Sequence, residues 1–262
     1  MKKMLFEVAF MPKEVKPDSP SVCVVIDVIR ASTTMTRLVE KGASKIVLTN
    51  DEHQTLRENP SFLREETMIC AEQVSGEAAD IADFSPSLKE IETAEVKNQL
   101  VVMRTTNGTV AIHTLKELGI KHIFIGCMNN ARAVMNEAVR LAAELNTGVI
   151  IVAAGRENTN IAALDDTYCA AKLLSHGQQI AAENGIEAIQ ADSGIIASKL
   201  LLGYTDTFDA FSQSASGAVM RKINCEEDIL TCANENTTEV VAKVIFENSL
   251  ITVKNYLPST EL

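Results

Sequence analysis

Short apolar runs alternate with segments of helical periodicity along most of this chain. The run Val22–Ile26 has the length of a buried strand, and the apolar positions after it recur with a period near four, as on one face of a helix. Gly42 is a good residue to end that helix, and residues 45–49 form the next apolar run. The pattern therefore predicts a strand, a polar loop, a helix and a second strand, which together make a βαβ unit over residues 22–49.

The same alternation continues to the end of the chain and predicts an α/β fold. We expect a mostly parallel or mixed sheet with helices on both faces, in three α/β/α layers. Further strands are predicted at residues 5–10 (an edge strand), 67–71, 100–103, 122–125 and 149–154, with a closing hairpin at 240–246 and 250–253 around Asn248. Helices are predicted at 51–58, 88–97, 109–118, 129–145, 164–174, 178–183, 193–202 and 206–212, with a turn at 214–217.

Residues 100–125 repeat the order of elements in residues 22–49: a strand, a polar loop, a helix, a glycine and a strand. The identity between the two segments is low, and the ordinary order of βαβ units explains the echo equally well. We expect a single domain over residues 1–262, and two similar βαβ halves, about 20–95 and 98–262, remain an open alternative.

Composition and charge narrow the classes of function. The 262 residues carry a formal charge of −11, which argues against nucleic acid as the main partner. No apolar run reaches the length of a membrane span, and Glu7 and Pro12 come too early for a signal peptide. The six cysteines lack CxxC spacing, as is typical of buried free thiols. We therefore expect a cytoplasmic protein with no membrane or nucleic-acid partner, and a homodimer stays open.

Polar side chains follow five of the six strands predicted between residues 22 and 154. In α/β sheets, ligands bind beyond the carboxyl ends of the strands, so these side chains predict a site. They are Asp27 and Arg30, then Glu72, then Arg104, Thr105, Thr106, Asn107 and Gly108, then Asn129, and finally Arg156, Asp165 and Asp166.

The first of these loops suits a phosphate. The N–H groups at a helix start attract anions, and the guanidinium of Arg30 can grip two oxygens. The carboxylate of Asp27 would repel a phosphate unless a cation lies between them, which points to Mg²⁺. In the alternative reading, Ser32 or Thr33 caps the helix and Asp27 pairs with Arg30. The residues of this loop fit the phosphate site and the capped helix equally well.

Five segments of the chain together resemble the 2-phosphosulfolactate phosphatase family. The members of this family are Mg²⁺-dependent acid phosphatases of coenzyme M biosynthesis. The resemblance runs from Val24 to about Asp228 and rests on VVIDVIRASTT, RTTNGTVAI, GCMNNARAV, AAGRENTNIAALDDTYCAA and SASG. The chain departs from the family pattern at four positions: Ala71 and Asn224 replace glycines, Phe84 replaces an asparagine, and Asp165 replaces a glutamate.

The resemblance implies hydrolysis of the phosphate monoester of 2-phospho-3-sulfolactate, a small anionic substrate, to 3-sulfolactate and phosphate. The implied catalytic residues are Asp27, Arg30, Asp165 and Asp166, and the implied Mg²⁺ ligands are Asp27 and Asp166, then Glu72 and Asp165. The substrate-binding set is Ser32, Thr33, Thr34, Arg104, Thr106, Asn107, Gly108, Asn129, Arg156, Ser216 and Gly217.

Several alternatives stay open. In one route, a water activated by the ion attacks phosphorus and Asp165 positions it; in the other, Asp27 attacks and forms an aspartyl-phosphate. Arg104 could instead pair with a surface acid, and Asn129 could be a helix cap. A phosphatase of another small phosphorylated hydroxy acid and a non-catalytic anion- or nucleotide-binding protein are rival functions, although the chain has no GxGxxG or Walker motif.

Overall fold

The computed structural model describes residues 2–62, 64–247 and 249–257. Within these residues, ten strands join in one continuous sheet. The strands are β1 (Lys2–Ala9), β2 (Val22–Ile26), β3 (Lys45–Leu48), β4 (Thr67–Ala71), β5 (Leu100–Arg104), β6 (Ile123–Ile125), β7 (Val149–Ala153), β8 (Ile186–Gln190), β9 (Ala242–Glu247) and β10 (Leu250–Asn255).

The described residues also form ten α-helices, which confirms the α/β prediction. They are α1 (Ala31–Glu40), α2 (Glu52–Glu58), α3 (Leu88–Thr93), α4 (Gly108–Glu117), α5 (Ala131–Leu145), α6 (Leu164–Glu183), α7 (Asp192–Leu200), α8 (Thr207–Gln213), α9 (Ala215–Lys222) and α10 (Glu226–Ala233). Every residue of β2 and β7 is buried, so both faces of the sheet are covered at these strands. Their side chains are almost all aliphatic, as expected for a chain with no Trp.

The sheet is mixed, in the order β4-β5-β3-β10-β9-β6-β2-β7-β1-β8. Strand β2 runs parallel to β6 and β7, and β3 runs parallel to β5. Three antiparallel pairings separate these two groups, namely β6 with β9, β9 with β10 and β10 with β3. The two groups consequently run in opposite directions along the hydrogen-bonded sheet.

This topology corrects the expected βαβ unit over residues 22–49. Strand β3 is neither a neighbour of β2 nor parallel to it. A strand–helix–strand pattern in sequence carries no information on the direction of the second strand, and here the β9–β10 hairpin inserts between the two groups and reverses it.

Eight of the ten strands are arranged symmetrically about the β9–β10 pair: β10 mirrors β9, β3 mirrors β6, β5 mirrors β2, and β4 mirrors β7, while β1 and β8 extend the sheet beyond β7. Helices α1 and α4 both have ten residues, and each is followed two residues later by a glycine with positive φ, Gly42 at 84° and Gly119 at 76°. The segment β2-α1-β3-α2-β4 thus corresponds to β5-α4-β6-α5-β7. The two segments exchange their first strands, because β5 lies between β3 and β4 while β2 lies between β6 and β7.

Several local predictions were wrong. Strand β1 is not an edge strand, because it pairs with both β7 and β8. The two helices predicted at 164–174 and 178–183 are the single helix α6. Gly177 does not break that helix: an added Cβ there would lie 2.6 Å from Met135 and 2.8 Å from Phe6, so the glycine allows close packing instead. The turn predicted at 214–217 is the start of α9.

Strand β8 and helix α10 have no counterpart in the sequence-based prediction. The predicted C-terminal hairpin is present as β9 and β10, in the middle of the sheet. Asn248, at its predicted turn, lies outside the described residues.

Candidate active site

A polar cavity of about 80 Å³ lies where the loops after β2, β4, β5 and β7 meet the start of α9. By the volume of liquid water, it has room for about three water-sized groups. Its polar lining residues are Asp27, Arg30, Glu72, Thr106, Asn107, Arg156 and Ser216. Side chains from four loops and one helix start that are distant in sequence therefore share one cavity.

The strand ends meet although β2 and β5 run in opposite directions in the sheet. Five strand-to-strand steps separate them. Because neighbouring strands twist by about 20–25°, five steps rotate the strand direction by roughly 100–125°. The directions of β2 and β5 in space therefore differ by much less than their antiparallel order in the sheet suggests. Their carboxyl ends consequently lie near the same cavity.

Asp27 lies at the centre of the site, directly after β2, and is 7% exposed. Burial and the negative charges of Glu72 and Asp165 raise its pKa from 3.8 to about 7. The backbone N–H groups of Ala31 and Gly108, the first residues of α1 and α4, interact with the same carboxylate and oppose this rise. The N-termini of two helices thus point at one buried acid.

Gly108 permits this convergence. A Cβ at this position would lie 2.6 Å from the Cβ of Ala31 and 2.9 Å from Oδ2 of Asp27. Both distances are too short for non-bonded atoms, so any larger residue would push the two helix starts apart. The role of Gly108 is therefore close packing beside the carboxylate.

Arg30 is buried and held by three acceptors. Its guanidinium donates to Oδ2 of Asp228 at 3.0 Å, to the carbonyl of Gly76 at 2.6 Å and to Oε2 of Glu72 at 3.5 Å. Glu72 in turn accepts from the backbone N–H and the hydroxyl of Thr106, at 3.1 and 3.2 Å. Arg30 therefore ties one wall of the cavity together, with its charge balanced by carboxylates.

Two adjacent acids at the start of α6 lie in different environments. Asp166 accepts from the N–H of Val28 at 2.8 Å and of Gly155 at 3.0 Å, so it fastens the loop after β2 to the loop after β7. Asp165 is 1% exposed, and its Oδ1 makes no hydrogen bond to any described residue. Burial raises the pKa of Asp165, while Ser216 and Arg156 oppose the increase.

Arg156 is the cation of the cavity that has no acid bound to it. Among the described residues, its guanidinium makes no hydrogen bond or ion pair, and the side chain is partly exposed. The loop that carries it contains three consecutive residues with positive φ, Glu157, Asn158 and Thr159. The N–H of Asn158 donates to Oδ1 of Asn107 at 3.2 Å, which connects this loop to the start of α4.

The three hydroxyls of the first loop do not line the cavity. Ser32 accepts from the N–H of Asp27, Thr33 donates to the carbonyl of Val28, and Thr34 donates to the carbonyl of Pro86. All three are buried, and no side chain caps α1. They shape the loop that presents Asp27.

Besides Gly108, three other predicted binding residues also lie outside the cavity lining. Arg104 forms a two-point ion pair with Glu52. Asn129 donates to the carbonyls of Thr231 and Asn234, which fixes the segment after α10. Gly217 belongs to the first turn of α9, where a Cβ would lie 2.2 Å from a backbone carbonyl oxygen.

Sequence reasoning missed Asp228, the buried partner of Arg30, and the apolar rim of Val74, Val219 and Met220. Asp228 lies in the first turn of α10 beside two glutamates and looks there like an ordinary acidic helix start. Its one signal was that the family resemblance extends to this position.

Two departures from the family pattern lie away from the cavity lining. Ala71 is fully buried in β4, and its N–H donates to the carbonyl of Phe84. Phe84 is itself a core residue. These positions affect packing beneath Glu72, whereas the departure at Asp165 falls in the site itself.

The residues of the site fit a divalent cation only in part. No group of three or more His, Cys, Asp or Glu side chains in the described part of the chain could hold a metal ion. However, Mg²⁺ commonly takes only one or two carboxylates and fills its remaining positions with water and phosphate oxygens. Asp27 and Asp165 can supply these, because Oδ1 of Asp165 is buried without a partner and Asp27 carries uncompensated charge. Glu72 and Asp166 already accept hydrogen bonds with both oxygens.

Comparison with known proteins settles the family. The sequence profile of the family described as 2-phosphosulpholactate phosphatase matches residues 9–245. The chain belongs to this family. The resemblance stated above is therefore confirmed, as is the prediction of a phosphoric monoester hydrolase class.

Individual relatives support the same family. A probable 2-phosphosulfolactate phosphatase of Thermus thermophilus is 33% identical over 215 residues, covering 82% of this chain and 84% of the relative. A protein of the same name from Deinococcus radiodurans is 29% identical, and the match covers 87% of this chain and 90% of the relative. Another from Clostridium botulinum is 28% identical, and the match covers 84% of this chain and 87% of the relative. Among the described residues, no helix has the length and apolar character needed to cross a bilayer.

Proposed function

We propose that this protein hydrolyses the phosphate monoester of 2-phospho-3-sulfolactate to 3-sulfolactate and phosphate, with Mg²⁺, in the cavity around Asp27. One observation carries the proposal. In a member of this family, Asp27 at the starts of α1 and α4 lines one cavity with Arg156, which forms no ion pair among the described residues, and the charge of buried Asp165 interacts with both. Helix N-termini and a free guanidinium bind phosphate oxygens, and the excess of carboxylates calls for a divalent cation.

We assign each residue of the site a role in this hydrolysis. Arg156 binds phosphoryl oxygens, since no acid occupies its guanidinium. Asp27 and Asp165 would hold Mg²⁺, and Mg²⁺ when bound neutralises charge on the phosphoryl group. Asp165, whose carboxylate Ser216 orients, positions the attacking water, and the proton that this water loses passes to solvent. The bond from phosphorus to the ester oxygen breaks, and the alkoxide leaves with a proton from solvent.

The test is phosphate release from 2-phospho-3-sulfolactate, with Mg²⁺ and with a chelator. We expect release that requires Mg²⁺ and is lost in Asp165→Asn. A variant without a cation role, Glu227→Gln, is the control, since that side chain is 79% exposed on the surface. Activity that persists in excess chelator would refute the Mg²⁺ part. A phosphorylated Asp27 peptide after rapid quenching would replace the water route by an aspartyl-phosphate.

One observation also favours a second substrate, the phosphate ester of a hydroxy acid without a sulfonate. Arg156 is the single cation in the described cavity lining without an acidic partner, and the rim is formed by Val74, Val219 and Met220. A substrate with three anionic groups would use more cations than this. Comparing kcat/KM for 2-phospholactate and 2-phospho-3-sulfolactate decides between them, and a tenfold preference for the sulfonated ester would exclude the second candidate.

The reaction is proposed to take place in the cytoplasm. All six cysteines are free thiols, and five of them are buried. This is the usual state of cysteines in a reducing compartment.

A further inference from the structure

Asp228 holds the guanidinium of Arg30 from outside the cavity. Its Oδ2 lies 3.0 Å from Nη1 of Arg30, and the two side chains are 2% and 1% exposed. The other oxygen of Asp228 accepts from the N–H of Leu88 at 3.0 Å, the first residue of α3. This carboxylate is therefore fixed at both oxygens and does not face the cavity.

Arg30 passes this constraint to the cavity wall. The same guanidinium holds Oε2 of Glu72 and the carbonyl of Gly76, on the loop that carries the rim residue Val74. Glu72 then accepts two hydrogen bonds from Thr106 at the start of α4. One continuous chain of contacts thus runs from α10 through Arg30 to the loops that surround Asp27.

Stability alone is a poor reason for such a pair. Replacing a buried ion pair by apolar side chains of similar size is often neutral or stabilising, whereas removing one partner is costly. An orienting role accounts for the geometry better, since Nη1 of Arg30 donates to α10 and Nη2 donates to the loop after β4, so one side chain connects two separate segments. We propose that Asp228 is a positioning residue, which acts through Arg30 to hold Glu72 and the Gly76 loop in the arrangement needed for phosphoryl transfer. The inference rests on the proposed function.

The test is a double-mutant cycle on kcat with Asp228→Asn, Arg30→Met and the variant carrying both. The asparagine keeps an oxygen for the N–H of Leu88 and loses the charge. We expect Asp228→Asn to lower kcat about 10–100-fold, as for a small misplacement of reacting groups, with KM changed less than about threefold because Arg156 is untouched. If Asp228 acts only through Arg30, adding Asp228→Asn to Arg30→Met lowers kcat no further.

The matched control is Glu227→Gln, in the same helical turn, whose side chain pairs with Lys89 at the surface. It should keep the wild-type kcat. Effects of the two substitutions that multiply, or a wild-type kcat in Asp228→Asn, would overturn the proposal. If Asp228→Asn does not fold, Asp228→Glu replaces it in the cycle, because it keeps the charge and displaces it by one methylene.

The proposed function and this inference fail separately. A wild-type protein that releases no phosphate from any ester refutes the function. The same four proteins are then compared by hydrogen exchange of the backbone amides of residues 72–76, and the inference requires that Asp228→Asn speeds this exchange in the wild type and adds nothing to Arg30→Met. Equal effects of Asp228→Asn in both backgrounds would refute it.

Discussion

Replacing Asp27 by asparagine should make the protein more stable and inactive. The pKa of this carboxyl is raised from 3.8 to about 7 by burial and by Glu72 and Asp165. At 1.36 kcal/mol per pH unit, ionised Asp27 costs the folded protein about 4 kcal/mol at neutral pH. Asparagine removes the charge but gives up one acceptor oxygen near Ala31 and Gly108, so we expect a net gain of about 1–3 kcal/mol.

The sign of the pH dependence follows from the raised pKa. Below pH 4, Asp27 is protonated in both the folded and the unfolded protein and carries no penalty. As the pH rises from 4 to 7, only the unfolded protein releases the proton of Asp27 easily, so the wild type loses stability through Asp27 and the variant lacks this loss. The advantage of Asp27→Asn should therefore be full above pH 7 and disappear near pH 4.

Thermal unfolding in chelator at pH 8 and at pH 4 measures this directly. For a chain of this size we expect Tm to rise by about 2–8 °C at pH 8. Phosphate release should fall by about 100-fold or more, because the proposed ligand is lost. A variant less stable than the wild type at pH 8, or a gain that is equal at both pH values, would show that Asp27 is not a penalised buried charge.

Three further outcomes are expected. Gly108→Ala should lose about 1–3 kcal/mol and most activity, because its Cβ would clash with Ala31. Gly203→Ala should be nearly neutral in unfolding assays, because its Cβ would come no closer than 3.5 Å to the carbonyl oxygen of Leu200. Arg156→Gln should raise KM about 10-fold or more with an unchanged Tm, since that guanidinium binds no described acid. Arg104→Gln should instead lower Tm and leave KM unchanged, because Arg104 pairs with Glu52. A raised KM in this variant would show that Arg104 binds the substrate.

The elements of this fold were largely predictable, but their arrangement was not. Apolar runs identify strands such as β2 and β5 because a strand buried on both faces must be apolar throughout. Their direction and order depend on which strands lie between them, and these come from the far end of the chain. Strand β8 escaped detection because, at the edge of the sheet, two of its five residues are charged or polar and only Ile186 is buried.

The site was predicted by residue type better than by role. Asp27, Glu72, Thr106 and Arg156 do share a cavity, and polar strand ends were a sufficient signal for that. Sequence could not show that Arg104 pairs with Glu52 or that the hydroxyls of Ser32, Thr33 and Thr34 bond to backbone groups outside the cavity. Such details depend on side-chain partners that lie far apart in the sequence.

The exchange of first strands between the two similar segments has a consequence for biosynthesis. The central strands β9 and β10 leave the ribosome after the eight other strands of the described sheet, yet they join the β3 group to the β6 group. Until residues 242–255 emerge, the nascent chain has two sheet fragments with open edges, each completed by a strand from the other segment. Contacts of such long sequence separation form slowly and expose unpaired strands to aggregation. Deleting residues 242–255 would therefore remove the two strands that connect the β3 group to the β6 group.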